Sequence, residues 1–340
     1  MDTLSSQPLL VLTGFSAKRQ NIALDSLKAL YQSGQVYVLA DAKPMADSLL
    51  GASALAPTLA TADAFAPRAK DKILLTLLAQ SDLRFKALAV NGQSFFKNYT
   101  QYPLYTGGGA QDFPYSKWLT KFTLTGVTAI TRNMGFAADA EGLGFLTKNL
   151  LPEVKDSDLL HISNEVSFAE GCYYKKYDPS FKFCTKKEHF QALVDLGADI
   201  VELTGNHNLD YGPEAYRQTF AWYEAQGMRT FGGGLSPAQA NQPAILTLKD
   251  GKKIGFIGFN ELCPVGECAD QTLGANRYTR EKAQKALRAL RPQVDWLIAT
   301  VQFGEVDAYT PSATQSQISR DLIDFGADRS MAHRPTKCSR

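Results

Sequence analysis

Thr204-Gly205-Asn206-His207-Asn208-Leu209-Asp210-Tyr211-Gly212 follows a short apolar run, Ile200–Thr204, and precedes a helical pattern that opens at Pro213. A glycine at the end of a strand lets the chain turn sharply. Asn206 then offers an oxygen and His207 a nitrogen, a pair suited to a divalent transition metal. Asp210 is spaced to hold the His207 ring from behind. The competing reading is a polar loop in which Asp210 is the N-cap of the helix at Pro213. Either way the stretch marks the C-terminal end of a strand in an α/β sheet, the edge at which open sheets place their sites.

Outward from this stretch the same punctuation recurs. Lys121–Thr125 reads as a strand ending at Gly126, with Thr128 and Arg132 beyond it. Leu159–Ser163 ends at Asn164 and Glu165, and Trp296–Val301 ends at Gln302, Phe303, Gly304 and Glu305. If these strands are neighbours, the polar side chains after them meet in one crevice. A carboxylate beside an amide, as at Glu165 and Asn164, suits metal bridging or acid–base work, with a capping role as the plain alternative. Helices are expected over Glu188–Leu196, closed by Gly197, and over Pro213–Gln226, Arg280–Leu290 and Gln315–Phe325. Lys249, Asp250 and Gly251 between Ala244–Leu248 and Lys253–Phe259 signal a hairpin. His161, inside an apolar strand, reads as a satisfied structural histidine.

The N-terminal third alternates strands and helices too. Leu9–Leu12, Val36–Ala40 and Phe85–Val90 read as strands, Asn21–Ser33 and Pro67–Gln80 as helices, and Tyr102–Leu104 with the glycines at 107–109 as a linker. This third is expected to form a smaller α/β module over residues 1–118.

Asn164-Glu165 after one strand, then Gly205-Asn206-His207 with Asp210 and Gly212, resembles the CapA family of poly-γ-glutamate capsule biosynthesis proteins, relatives of calcineurin-type metallophosphatases. Lys121–Arg132 is similar to the family's opening strand, Phe231–Gly234 to its glycine turn and Lys253–Asn260 to its next strand. Ala299–Tyr309 with Pro311 and Gln315, and Gly326-Ala327-Asp328, continue the likeness, which covers about residues 120–328. It implies a four-layer α/β/β/α metallophosphatase-like sandwich over 119–328 and a divalent metal ion (Mn, Fe, Zn or Mg) on Glu165, Asn206 and His207. It further implies His207, Glu165 and Asp210 as catalytic residues, and Arg132, Asn164 and Glu305 as substrate contacts. Phe85–Leu104 is reminiscent of half of a periplasmic solute-binding domain.

The sequence departs from the family pattern at named places. Val127 and Thr128 follow Gly126 where an Asp ligand is usual, and Gln302 stands where a His is frequent. After Asp328 comes Arg329-Ser330-Met331-Ala332-His333-Arg334-Pro335, a basic stretch in which no apolar strand is expected; His333 is expected in solvent, with replacement of the lost ligand as the alternative. Residues 329–340 therefore read as an aberrant tail. Met331–Ser339 in a shifted frame can encode Gly-Ser-Ser-Ala-His-Gln-Val-Gln, near the missing motif, so a frameshift is the expectation; an unbroken gene would refute it.

Composition limits the function classes. The 340 residues are 44% hydrophobic and 21% charged with a net charge of +2, which suits a globular protein and argues against nucleic acid as a partner. No apolar run approaches the roughly 20 residues of a membrane-spanning helix, and the N-terminus does not read as an export signal. Cys172/Cys184 and Cys263/Cys268 form two local pairs, more consistent with disulfide loops outside the reducing cytosol than with zinc, with free thiols as the alternative. The expectation is a cell-envelope capsule-synthesis protein, possessing a metal-dependent phosphoester hydrolase centre, acting on an anionic polymer or phosphoester beside other capsule-synthesis proteins. A non-catalytic binding protein on the same fold is the alternative. A nucleotide enzyme is disfavoured by the absence of a Gly-x-x-x-x-Gly-Lys loop.

Overall fold

The computed structural model describes residues 6–82, 84–107, 113, 119–174, 180–304 and 310–333. The chain divides into two compact units, Met1–Leu119 and Thr120–Arg340.

The first unit is built on a six-stranded sheet. Its central strands are Val36–Leu39, Ile73–Leu77 and Ser6–Gly14, and Phe85–Ala87 and Tyr105–Gly107 both pair with Ser6–Gly14. Two expectations fail here. Pro67 lies in the short 3₁₀ turn Ala66–Arg68, and Ile73–Leu77 is a strand rather than the body of a helix. A central strand buried on both faces is a continuous apolar run, so its periodicity cannot separate it from a buried helix. Ile73–Leu77 is paired on both sides, which decides the matter. Tyr102 and Leu104 belong to this unit's core and Tyr105–Gly107 is a strand, so the expected linker does not lie at these residues; the glycines at 108 and 109 lie outside the described residues.

The second unit carries two four-stranded sheets. The first is parallel throughout, in the order Arg229–Phe231, Ile200–Glu202, Leu159–Asn164, Phe122–Thr128. The second runs Ala244–Thr247, Lys253–Asn260, Trp296–Gln302, Arg329–His333, with the hairpin pair antiparallel and the rest parallel. Leu159, Ile200 and Phe231 of one sheet pack on Ile254, Phe256 and Ile298 of the other. The next residues along the strands face outward. Leu160, Ile162 and Val201 meet Tyr216, Phe220 and Tyr223 of the Gly212–Ala225 helix. Leu297, Ala299 and Val301 meet Leu287, Leu290, Ile318 and Leu322 of the helices Arg280–Leu290 and Ala313–Asp324. This alternation of period two sends apolar residues to both faces of each sheet and yields the expected α/β/β/α sandwich.

Arg329–His333 forms the edge strand of the second sheet, in register with Ile298–Gln302. The expectation that no strand follows Asp328 is therefore corrected. Polar and small residues fill this strand because a parallel partner supplies its hydrogen bonds on one side, and pairing does not require apolar side chains. The stretch 334–340 lies outside the described residues.

Candidate metal centre

Glu165 and Asn206 leave the ends of adjacent parallel strands, Leu159–Asn164 and Ile200–Glu202. Gly205 makes their approach possible. A Cβ at that position would lie 2.6 Å from Glu165 Cα and 2.8 Å from its Cγ, so glycine is required here by space. Gln302, at the end of a strand in the second sheet, completes the meeting. Its Nε2 donates to Glu165 Oε1 at 3.1 Å and to Asn206 Oδ1 at 3.3 Å, while its own Oε1 is buried without a partner.

His207 is oriented from behind. Its Nδ1 bonds Asp210 Oδ2 at 2.8 Å, and the same carboxylate oxygen accepts the Phe183 backbone N–H at 2.7 Å. With Nδ1 so engaged, Nε2 is the ring nitrogen available for a ligand role. The Phe183 ring packs edge-on to the imidazole, with centroids 4.6 Å apart. Burial lowers the His207 pKa, but the Asp210 hydrogen bond and charge, aided by Glu165 and Glu267, outweigh it and leave it raised. Asp210 is thus the support of His207, and the N-cap alternative is excluded: Tyr211 is the cap of the following helix and no side chain caps it.

Arg132 opens the Arg132–Glu141 helix with φ of +47°, a left-handed conformation that a long side chain rarely adopts. Its guanidinium lies 4.3 Å from the Phe183 ring centroid and 5.7 Å from that of Phe181. Arg132, Glu165, Asn206 and His207 line one crevice of about 600 Å³, whose remaining walls include Met134, Phe181, Leu262 and Phe303. Asn164 is not brought to it. This residue is buried, and its Nδ2 donates to Val166 O and to Tyr223 Oη, both at 2.8 Å, so it holds the turn after the strand instead of facing a substrate. Glu305 lies outside the described residues. Thr128 ends its strand beside Asn164, and its carbonyl accepts the Glu165 N–H.

One carboxylate, one amide oxygen and one imidazole form a donor set that fits a single divalent ion, and the Gln302 N–H already sits between the two oxygens, where a cation would be held. A two-metal centre needs further anionic or imidazole ligands. Thr128 and Gln302 do not supply them.

Two buried acids, Glu267 and Glu202, escaped sequence reasoning. Glu267, inside the loop closed by Cys263–Cys268, accepts the Leu209 N–H at 3.0 Å. Burial, with Asp210 adding to it, pushes its carboxyl up to about 7. Nothing but its place in a short disulfide loop signalled it. Cys172–Cys184 forms the other disulfide. Glu202 and His333 form the second surprise. Glu202 is fully buried, His333 is 1% exposed, and His333 Nε2 donates to Glu202 Oε2 at 2.6 Å. His333 is therefore interior, correcting the expectation of a solvated residue, because the edge strand turns it between the sheets. His161 Nε2 donates to the same oxygen at 3.0 Å. Burial opposes ionisation of Glu202, yet the charge and hydrogen bonds of the two histidines outweigh it and hold the carboxyl below its usual range. A carboxylate in the middle of an apolar strand was the available signal.

Residues 121–337 match the model of a family described as bacterial capsule synthesis protein PGA_cap. The chain is 22% identical over 224 residues to the PGA biosynthesis protein CapA of Bacillus subtilis (strain 168), covering 65% of this chain and 58% of that protein. It is 21% identical over 220 residues to the capsule biosynthesis protein CapA of Bacillus anthracis, covering 63% of this chain and 53% of that one. The chain thus spans just over half the length of these curated relatives. A solved ABC-type phosphate transport receptor from Vibrio cholerae aligns with 30% of this chain and 55% of its own at 12% identity and a TM-score of 0.26, too slight a likeness to carry an argument. The family model covers well over half of the residues, in the unit that holds the sandwich and its crevice, and the chain belongs to the bacterial capsule synthesis protein PGA_cap family.

Proposed function

We propose that this chain serves capsule biosynthesis at the cell envelope, on an anionic polymer of the poly-γ-glutamate kind or a phosphoester connected with it, through a metal-dependent hydrolytic centre at the crevice. The observation that carries this reading is the convergence of Glu165 Oε1 and Asn206 Oδ1 on one atom beside an imidazole oriented by Asp210. Glu165, Asn206 and His207 would hold the ion, which when bound supplies an activated water and charge neutralisation. Asp210 keeps the His207 ring in place. Arg132, backed by Phe183, offers its guanidinium to an anionic oxygen of the substrate. The two disulfides agree with a location outside the reducing cytosol. Among the described residues no helix is long and apolar enough to cross a membrane.

The test is hydrolysis of bis-p-nitrophenyl phosphate by the purified protein with and without Mn²⁺. Metal-dependent turnover that falls at least about 100-fold in His207→Ala is expected. A second reading, a binding protein on the same fold, is favoured by Gln302, which spans the two oxygens without being a strong ligand itself. Retention of an anionic polymer with no turnover under any metal would select it and overturn the hydrolase.

A further inference from the structure

Between the two sheets, beneath the crevice residues, lies a second group of metal-type donors that the proposed hydrolytic centre does not use. His161 and Glu202 come from the first sheet and His333 from the edge strand of the second. One ligand atom from each lies within 4.8 Å of the others, and all three side chains are buried. Both imidazoles aim at the same carboxylate oxygen, at 3.0 and 2.6 Å. Glu202 Oε1 is engaged separately by the Thr204 hydroxyl.

Burial requires that the Glu202 charge be compensated, by a protonated imidazole or by a metal ion. His161 packs against Phe231 and Phe256, with ring centroids 5.7 and 6.2 Å away, so the carboxylate has no solvent to stabilise it. A buried charge is paired or binds a metal. Further buried polar atoms on these strands lack partners. His161 Nδ1, His333 Nδ1 and Thr300 Oγ1 are buried without partners. Thr300 Oγ1 and the Thr204 methyl both border Gly258, where a Cβ would lie 2.8 and 2.6 Å from them. An ion held by the two Nε2 atoms and the carboxylate leaves each Nδ1 on the far side of its ring, so these unpartnered atoms mark an incompletely satisfied polar layer and not the ion's own position. Donors around a zinc-type ion at about 2.0–2.1 Å stand roughly 3.3 Å apart in tetrahedral geometry, so the two imidazole nitrogens, at 3.0 and 2.6 Å from Glu202 Oε2, each need to move outward by less than about 1 Å to admit one.

We propose that His161, Glu202 and His333 form an interior site for one zinc-class divalent ion, which ties the two sheets of the sandwich together. The ion completes the closure of the sandwich by the edge strand and is distinct from any ion in the crevice.

The experiment uses the full chain carrying Glu165→Gln and His207→Ala, which removes crevice donors and leaves the interior group intact. After treatment with chelator the protein is reloaded with Co²⁺ or Zn²⁺ and desalted. One retained equivalent is expected, with visible cobalt absorption typical of a low-coordinate nitrogen and oxygen site, and a melting temperature higher than that of the stripped protein. Adding Glu202→Gln to this background should lower affinity at least about 100-fold. Should that variant fail to fold, the metal count and chelator-dependent melting of its parent still decide. No retained metal and unchanged melting in the parent would show a purely proton-bonded trio and overturn the proposal, as would retention unaffected by Glu202→Gln. Loss of phosphoesterase activity bears only on the crevice, so the two readings fail separately.

Discussion

Glu267 braces the segment that carries His207 and Asp210, because its carboxylate accepts the Leu209 N–H from inside a disulfide-closed loop. Its carboxyl is raised from 4.5 to about 7, so the native state keeps a proton that the unfolded chain releases between those values. Stability from this group is therefore present at low pH and declines as pH rises from about 4.5 to about 7. Glu267→Gln should flatten that part of the profile, measured as urea midpoints at pH 5 and 7.5. An unchanged slope would assign it to other groups. At this scale the sequence was legible where a residue type has few uses: Asn206, His207, Glu165 and Asp210 do meet, with Asp210 supporting the His. Asn164 was illegible because one amide at a strand end can turn either way, and only the packing of Tyr223 draws it inward.

The loop from Cys172 to Cys184 carries Phe183, whose ring touches His207 and lies beneath the Arg132 guanidinium, and whose N–H binds Asp210. The disulfide limits the unfolded loop and so stabilises the folded one. Cys172→Ser with Cys184→Ser should cost about 2–3 kcal/mol in urea unfolding and should weaken Mn²⁺ binding by calorimetry, since Phe183 and Asp210 are positioned together. Wild-type metal affinity in that variant would show that the loop is not needed for the centre. Elements were legible where local chemistry closes them. Gly197, at φ of +76°, ends the Gln191–Leu196 helix, and the Lys253–Asn260 hairpin follows its turn. Ile73–Leu77 was misread because burial on both faces erases periodicity.

Each of the two units has its own apolar core, one centred on Leu10, Val38 and Leu75, the other on the layers around the two four-stranded sheets. A fragment of residues 120–340 should therefore unfold cooperatively by itself in calorimetry. A broad, non-cooperative transition would show that it depends on the first unit. The sequence by itself determined the layered α/β class and the strand ends that bear the candidate ligands, because strand periodicity and glycine turns are local properties of the chain. Only the tertiary structure decided which side chains share a site. Glu267 reaches Leu209, and Glu202 reaches His333, across long stretches of sequence. Such pairings depend on sheet order and stacking, which determine what two distant residues face, and no local pattern encodes them.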